Sequence, residues 1–249
     1  MRVAALYDIH GNLPALEAVL QEVEQSGIDQ IVVGGDVVLG PMSRECLDRL
    51  LEIQIPIHFI QGNCEVAVLA QMMNEHKEIL PEKVLEDIHW TAKQLLPAHK
   101  ELLASWPKTI TLEIGELGTI FFCHATPRSQ TEIFTRFTPE NKLLPIFEML
   151  NVGFVVCGHT HMQFDRRIGK VRVINAGSIG MPFGKPGAYW LLLGPNVELR
   201  HTAYDIINAA KLIRKTAYPN VEEFAKNSVL QPPSEDAMLE IFNRAELQT

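Results

Sequence analysis

The 249-residue sequence has few cysteines, and the four present (Cys46, Cys64, Cys123 and Cys157) fall singly, with no C-x-x-C pair. In a chain of this length they read as reduced thiols and exclude a disulfide framework. No apolar run approaches the ~18–20 residues of a membrane span. The short apolar stretch at Val3 to Leu6 is cut by Asp8 and His10, so no signal peptide is expected. Positive charge is also scarce. Lys and Arg number 22 against 30 Asp and Glu, giving a net charge of −8 and a pI near 5.6. A general nucleic-acid or membrane-surface binder would need a basic face, which argues against both partners. Internal repeats and low-complexity tracts are absent. These absences lead us to expect a soluble, cytoplasmic protein.

What is present is an ordinary globular composition, 47% hydrophobic and 21% charged, enough to bury a core without staples. The first sixty residues alternate two textures. Val3 to Asp8, Ile31 to Asp36 and Ile57 to Ile60 read as buried strands. Between them, Leu13 to Glu24 has apolar positions at helical spacing behind Asn12 as cap, and Ser43 to Leu51 reads as a helix capped by Ser43. This β-α-β-α-β order predicts parallel strands with crossover helices, and in such sheets sites form at the carboxyl ends of the strands. Val66 to Trp106 has no strand texture and reads as an insertion of two to four helices. A hairpin (Thr109 to Glu113, Thr119 to Cys123), a helix (Glu140 to Leu150) and a strand (Phe154 to Cys157) follow. Val171 to Ile174, Tyr189 to Leu193 and Val197 to Tyr204 read as further strands, of antiparallel character, and Ile206 to Lys215 as a helix. One domain over 1–215, with its insertion at about 66–107, and a C-terminal extension over 216–249 is the expected organisation.

The polar residues fall at the strand ends. These read Asp8-Ile9-His10-Gly11-Asn12, Gly34-Gly35-Asp36, Gly62-Asn63-Cys64-Glu65, Cys123-His124-Ala125 and Cys157-Gly158-His159-Thr160-His161. Brought to one rim, they supply two Asp, one Asn and four His. Seven ligands exceed one tetrahedral ion but suit two divalent ions sharing a carboxylate. Oxygen and imidazole donors without thiolate favour manganese, iron, zinc or magnesium over copper or an iron–sulfur cluster. Two such ions, less two aspartates and one hydroxide, leave a local charge near +1, able to attract a phosphate ester on an acidic protein.

In this order the five motifs resemble the signature of the calcineurin-like metallophosphoesterases: D-x-H, G-D, G-N-[HC]-[DE], a lone His, and G-H-x-H. The resemblance spans residue 1 to about 205. It implies an α/β fold, a four-layer α-β-β-α sandwich with a dinuclear metal site at the strand C-terminal ends. Asp8, His10 and His161 are then the implied ligands of one metal, Asn63, His124 and His159 those of the other, and Asp36 the bridge. The implied cofactors are two divalent ions, manganese first, with iron, zinc, magnesium, nickel or cobalt as alternatives. The segment 66–107 resembles the helical cap of a bacterial and archaeal branch, and Asn175-Ala-Gly-Ser178 the N-[PA]-G-S loop after the last metal motif. Many members carry His after the Asn ligand, thought to protonate the leaving group, where this chain has Cys64. A thiol is the poorer donor at neutral pH, so good leaving groups should be preferred.

The implied activity is metal-dependent phosphodiester hydrolysis, by in-line attack of a metal-bridging hydroxide on a small phosphoester, nucleotide derivatives among the candidates. Asp36 and Cys64 are the catalytic candidates. A phosphomonoesterase or dinucleoside polyphosphate hydrolase would use the same site. A non-catalytic scaffold is more remote, since such relatives have lost ligands that this chain keeps. An amidohydrolase is rejected, because the first strand carries D-x-H and not H-x-H. Asn12 and Arg128 are the candidate substrate contacts, Asn12 with helix capping and Arg128 with a solvated loop as the plainer alternatives. Cys123 and Cys157, and His58, His76, His89, His99 and His201, read as packing or surface residues. The segment after Pro219 could support a homodimer.

Overall fold

The computed structural model describes residues 1–75 and 80–247. His76 lies outside the described residues. Among the described residues, ten strands form two five-stranded mixed sheets. The first holds β1 (Val3–Leu6), β2 (Gln30–Val33) and β3 (Ile57–Phe59) in parallel, with β9 (Ala188–Leu193) antiparallel to β1 and β10 (Val197–Thr202) antiparallel to β9. The second holds β4 (Thr109–Glu113), β5 (Thr119–Cys123), β6 (Phe154–Cys157), β8 (Val171–Asn175) and β7 (Phe164–Ile168), in that spatial order. Here β5, β6 and β8 are parallel, and β4 and β7 run antiparallel at the edges.

Alternation along the strands creates the layers. Val3, Ala5 and Tyr7 join Val32 and Leu191 in facing Ile120, Phe122, Val156 and Ile174 of the other sheet. Ala4, Leu6, Ile31 and Val33 point the opposite way, onto the apolar faces of α1 (Leu13–Gln25) and α2 (Ser43–Leu51). On the far side, Val155, Cys157 and Val173 pack against Leu143, Ile146 and Phe147 of the helix at Glu140–Phe147. The result is the expected α-β-β-α sandwich.

The insertion contributes α3 (Asn63–Met72), α4 (Glu82–Gln94) and α5 (Pro97–Ser105), so the helix at Glu140–Phe147 is α6. The first of these begins at the G-N-C-E motif itself, three residues before the expected start, which puts Asn63 and Glu65 in a helix's first turn. Trp106 stacks on Phe59 of β3, ring centroids 4.6 Å apart, and Gln61 N–H donates to Pro107 O, tying the insertion's end to the end of β3.

Three expectations need correction. Ser43 is the first helical residue and not the cap, which is Met42; its hydroxyl donates to Gly40 O. Val171 to Ile174 belongs to a strand parallel to β6. Its antiparallel partner β7 has no counterpart in the sequence reading, because in Phe-Asp-Arg-Arg-Ile the exposed Asp165 and Arg167, and Arg166 between Phe164 and Ile168 on the inner face, mask the apolar alternation.

Beyond β10 the chain forms α7 (Ile206–Ile213), α8 (Val221–Phe224) continuing into a π turn at Ala225–Leu230, and α9 (Glu235–Arg244). Tyr218 meets Trp90 of α4 edge-on, and Asn220 donates to Asp87 Oδ1. Phe242 of α9 contacts Phe183, Arg136 pairs with Glu235, and Leu247 N–H donates to Ile133 O.

Tyr7 links the two sheets just beyond the end of β1. It is fully buried, and its hydroxyl donates to Val156 O of the opposing sheet. Space for its ring comes from Gly34, where a Cβ would fall 2.0 Å from Tyr7 Cε1. Gly34→Ala should therefore cost about 1–3 kcal/mol through overpacking, read as a lowered urea midpoint at unchanged m-value. An unchanged midpoint would show that the sheets separate without strain.

Candidate metal centre

The candidate ligands come from both sheets. The loops after β1 and β2 supply Asp8, His10 and Asp36, the start of α3 after β3 supplies Asn63, and the loops after β5 and β6 supply His124, His159 and His161. Five of the seven sit in left-handed backbone: Asp8 (φ 54°), His10 (46°), Asp36 (52°), His159 (67°) and His161 (58°). Such dihedrals end a strand at once and cost about 1–2 kcal/mol per L-residue. The cost is offset by neighbouring chain. Asp8 N–H donates to Gly35 O, His10 N–H to Asp36 O and Gly11 N–H to Val37 O, zipping the first two loops together.

Asp36 is held from three sides. Cys64 N–H, in the first turn of α3, donates to Oδ1 at 2.8 Å, and the Cys64 thiol donates to Oδ2 at 3.1 Å. His124 Nε2 lies 3.4 Å and His10 Nε2 3.7 Å from Oδ2. Asp8 accepts His159 N–H on Oδ2, while its buried Oδ1 has no hydrogen-bond partner and faces His161 Nε2 at 3.4 Å. The Nε2 atoms of His10 and His161 face each other at 3.2 Å, and Asn63 Oδ1 lies 2.9 Å from His124 Nε2.

Donor atoms of Asp8, His10 and His161 thus lie within 4.8 Å of one another, as do those of Asp36, His124 and His159. Imidazoles converging nitrogen to nitrogen beside an unpartnered carboxylate oxygen are poor neighbours for one another and good neighbours for a cation. The donor set fits divalent ions. Backbone carbonyls fix the rings: His124 Nδ1 on Gly34 O, His161 Nδ1 on Met181 O and His159 Nε2 on Thr131 O, an arrangement typical of metal-binding imidazoles. The buried Nδ1 of His10 has no such partner.

Titration follows from this crowding. Burial alone would raise the Asp36 carboxyl, but His124, His10 and the Cys64 N–H outweigh it and hold it far below the carboxylate range. Burial works against charge on His124, yet Asp36 and Asp8 push it up to about 10. His161 is raised against burial by Asp8, whereas burial holds His10 and His159 down to about 4. A proton on His124 compensates part of the carboxylate charge, and Asp8 favours one on His161.

Several residues act here without having been singled out as site residues from the sequence. Glu65 is fully buried, and its carboxylate accepts the N–H groups of Asp36, Val37, Val38 and Gly62, clamping the loop that carries Asp36. Burial and the Asp36 charge push it up to about 7 against those bonds. Asn175 donates to Gly158 O and to Thr160 Oγ1, bracing the G-H-x-H loop. Phe183 stacks on His161 at 5.4 Å and is itself backed by Phe242. Glu65 and Asn175 were visible within motifs, but no sequence signal pairs Phe183 with His161.

Asn12, Arg128 and Cys64 differ in how far their polar groups are already engaged. Asn12 caps α1, accepting Ala15 N–H, while its amide donates to Gly180 O and lies within reach of Tyr204. Both ends of its side chain are committed inside the fold. Arg128 sits on a loop beside Asn63 and His124, doubly bonded to buried Glu132. The Cys64 thiol is buried against Asp36, and burial with the Asp36 and Glu65 charges raises it well above its ordinary value. Cys123 and Cys157 are buried in the core, His99 is buried on Asp48, and His58, His89 and His201 bond Gln30, Gln71 and Pro186 O away from the cluster.

The calcineurin-like phosphoesterase superfamily domain matches residues 1–194. The chain belongs to this superfamily of phosphoester hydrolases. It is similar to phosphodiesterase YfcE of Escherichia coli K12, with 27% identity over 77% of this chain and 87% of that protein. It is also similar to an uncharacterised protein of Methanocaldococcus jannaschii, with 28% identity over 87% and 93%. Among solved structures, a metallophosphoesterase from Sphaerobacter thermophilus superposes with a TM-score of 0.71 at 25% identity, covering 91% of this chain and 98% of that one. No helix among the described residues is long and apolar enough to cross a membrane.

Because the two carboxylates push His124 up to about 10, a cation taking its imidazole displaces a proton, so metal binding should release protons and weaken as pH falls. For each proton displaced, affinity should rise up to about tenfold per pH unit through neutrality. Calorimetry with manganese in buffers of different ionisation enthalpy reads this directly. Binding without proton release would show that the imidazoles are neutral beforehand.

Proposed function

We propose that this phosphoesterase is a phosphodiesterase acting on a small phosphoester and using two divalent cations, manganese foremost. The observation that carries the reading is the pair of ligand clusters joined at Asp36, one of Asp8, His10 and His161, the other of Asn63, His124 and His159. The name of YfcE supports the diesterase choice. Bound there, two divalent ions lower the pKa of a water and neutralise phosphoryl oxygens.

The protein's own part is positioning. Glu65 and the first turn of α3 set the Asp36 carboxylate, and carbonyls at Gly34, Thr131 and Met181 aim the imidazoles before substrate arrives. Arg128, on the same wall as His124, is placed to meet a phosphate oxygen once it exchanges one bond with Glu132. Cys64 is a poor acid, since its proton is held on Asp36 and its pKa is raised. Esters with good leaving groups, aryl or nucleotide, are therefore favoured over alkyl monoesters.

The test compares bis(p-nitrophenyl) phosphate with p-nitrophenyl phosphate, with manganese and with chelator. We expect faster diester cleavage, abolished by chelator and reduced about 10³-fold or more in Asp36→Asn. Faster monoester cleavage would reassign the chain to phosphatases. Silence on both without bound metal would favour a scaffold. Cys64→His should raise turnover of poor leaving groups more than that of aryl esters; equal effects on both would place Cys64 outside the proton path.

A further inference from the structure

The ligand clusters account for a phosphoryl group but not for what the phosphate carries. A cavity of about 530 Å³ adjoins them on one side only, reaching Asn63, Cys64 and His124 but none of Asp8, His10 or His161. A phosphate ion alone is far smaller than this volume, which lies in the range of sites that hold a whole organic ligand.

The two walls differ. One is apolar, built from Ala67 and Ala70 of α3 and from Leu80, Val84 and Ile88 on and beside α4. Ala67 and Ala70 lie three apart on one face of α3, and their small side chains leave the space open. The other wall is the loop from Thr126 to Thr131, whose polar groups are largely used internally. Thr126 Oγ1 donates to Glu132, Arg128 is bonded to the same carboxylate, and Gln130 Nε2 donates to Gln61 O. The cavity thus presents apolar contact area and few uncommitted polar groups, of which Lys108 is one. Such a surface rewards a flat group that buries area without demanding many hydrogen bonds.

We propose that this cavity seats one ester substituent of the substrate, a flat and largely apolar group such as an aryl ring or nucleobase, and that Ala67 sets the size accepted. The proposal rests on the phosphoesterase reading for the placement of the phosphate. A ring burying about 60 Å² against the α3–α4 wall gives roughly tenfold in affinity, at ~25 cal/mol per Å².

The experiment measures binding of phenyl phosphate and of inorganic phosphate to the manganese-loaded full chain by calorimetry, beside kcat/KM for bis(p-nitrophenyl) phosphate. Wild type should bind phenyl phosphate about tenfold more tightly than phosphate. Ala67→Phe, which fills the cavity, and Val84→Asp, which makes its wall polar without adding bulk, should each remove that advantage. Phosphate affinity should stay unchanged, and kcat/KM should fall about tenfold through KM. Equal binding of the two probes by wild type, or an aryl advantage that survives both substitutions, overturns the proposal. An aryl advantage that is lost in both variants, in a protein that hydrolyses no phosphoester, supports the cavity assignment and sinks the phosphodiesterase reading instead.

Discussion

The arrangement depends on two carboxylates, Asp8 and Asp36, buried side by side at the meeting edge of two sheets. Buried anions in such proximity are tolerable only with positive charge between them. Four imidazoles converge there, and the carboxylates raise His124 and His161 toward the charged form that supplies it. Much of the surrounding structure keeps those groups from relaxing apart. Glu65 ties down the loop bearing Asp36 with four backbone bonds, and the backbone of the β1 loop is bonded to that of the β2 loop. The site is thereby made attractive to divalent cations before any is bound.

Left-handed backbone at five ligand positions runs against local preference, and packing beneath it holds those conformations. Tyr7, one residue before Asp8, is wedged between the sheets and bonded to Val156 O, with Gly34 leaving room for its ring. The loop at Asn175–Ser178 braces both Asp8 and the G-H-x-H turn: Ser178 donates to Asp8 O, and Asn175 to Gly158 O. A sandwich core therefore serves as the rigid base on which strained loops hold functional geometry.

On this shared base the chain adds features of its own. The helices between β3 and β4 wall a cavity on the side of Asn63 and His124. The C-terminal helices reach the opposite side, where Phe242 backs Phe183 and Phe183 stacks on His161. The same segment touches α4 through Tyr218 and Asn220, so insertion and C-terminal helices brace each other.

The order of strands and helices in the first sixty residues was legible because apolar runs and helical spacing are local signals. So was the set of candidate donors that the fold brings together, because five short motifs each put a residue able to hold a metal at or just beyond a strand end. Edge strand β7 was not, since three of its five residues are charged and two of those face water. The start of α3 was missed because Gly-Asn-Cys-Glu reads as a loop motif, although its Glu accepts the N–H at the head of the helix. Residue types and spacing alone determined the family, the kind of site and the chemistry its donors suit. Only the tertiary structure decided that two sheets share the site, that the Asn12 amide is committed to Gly180 O besides the expected cap, and that the Cys64 thiol donates its hydrogen bond to Asp36. Those outcomes depend on contacts between residues 28 to 170 positions apart, and no local pattern encodes such distances.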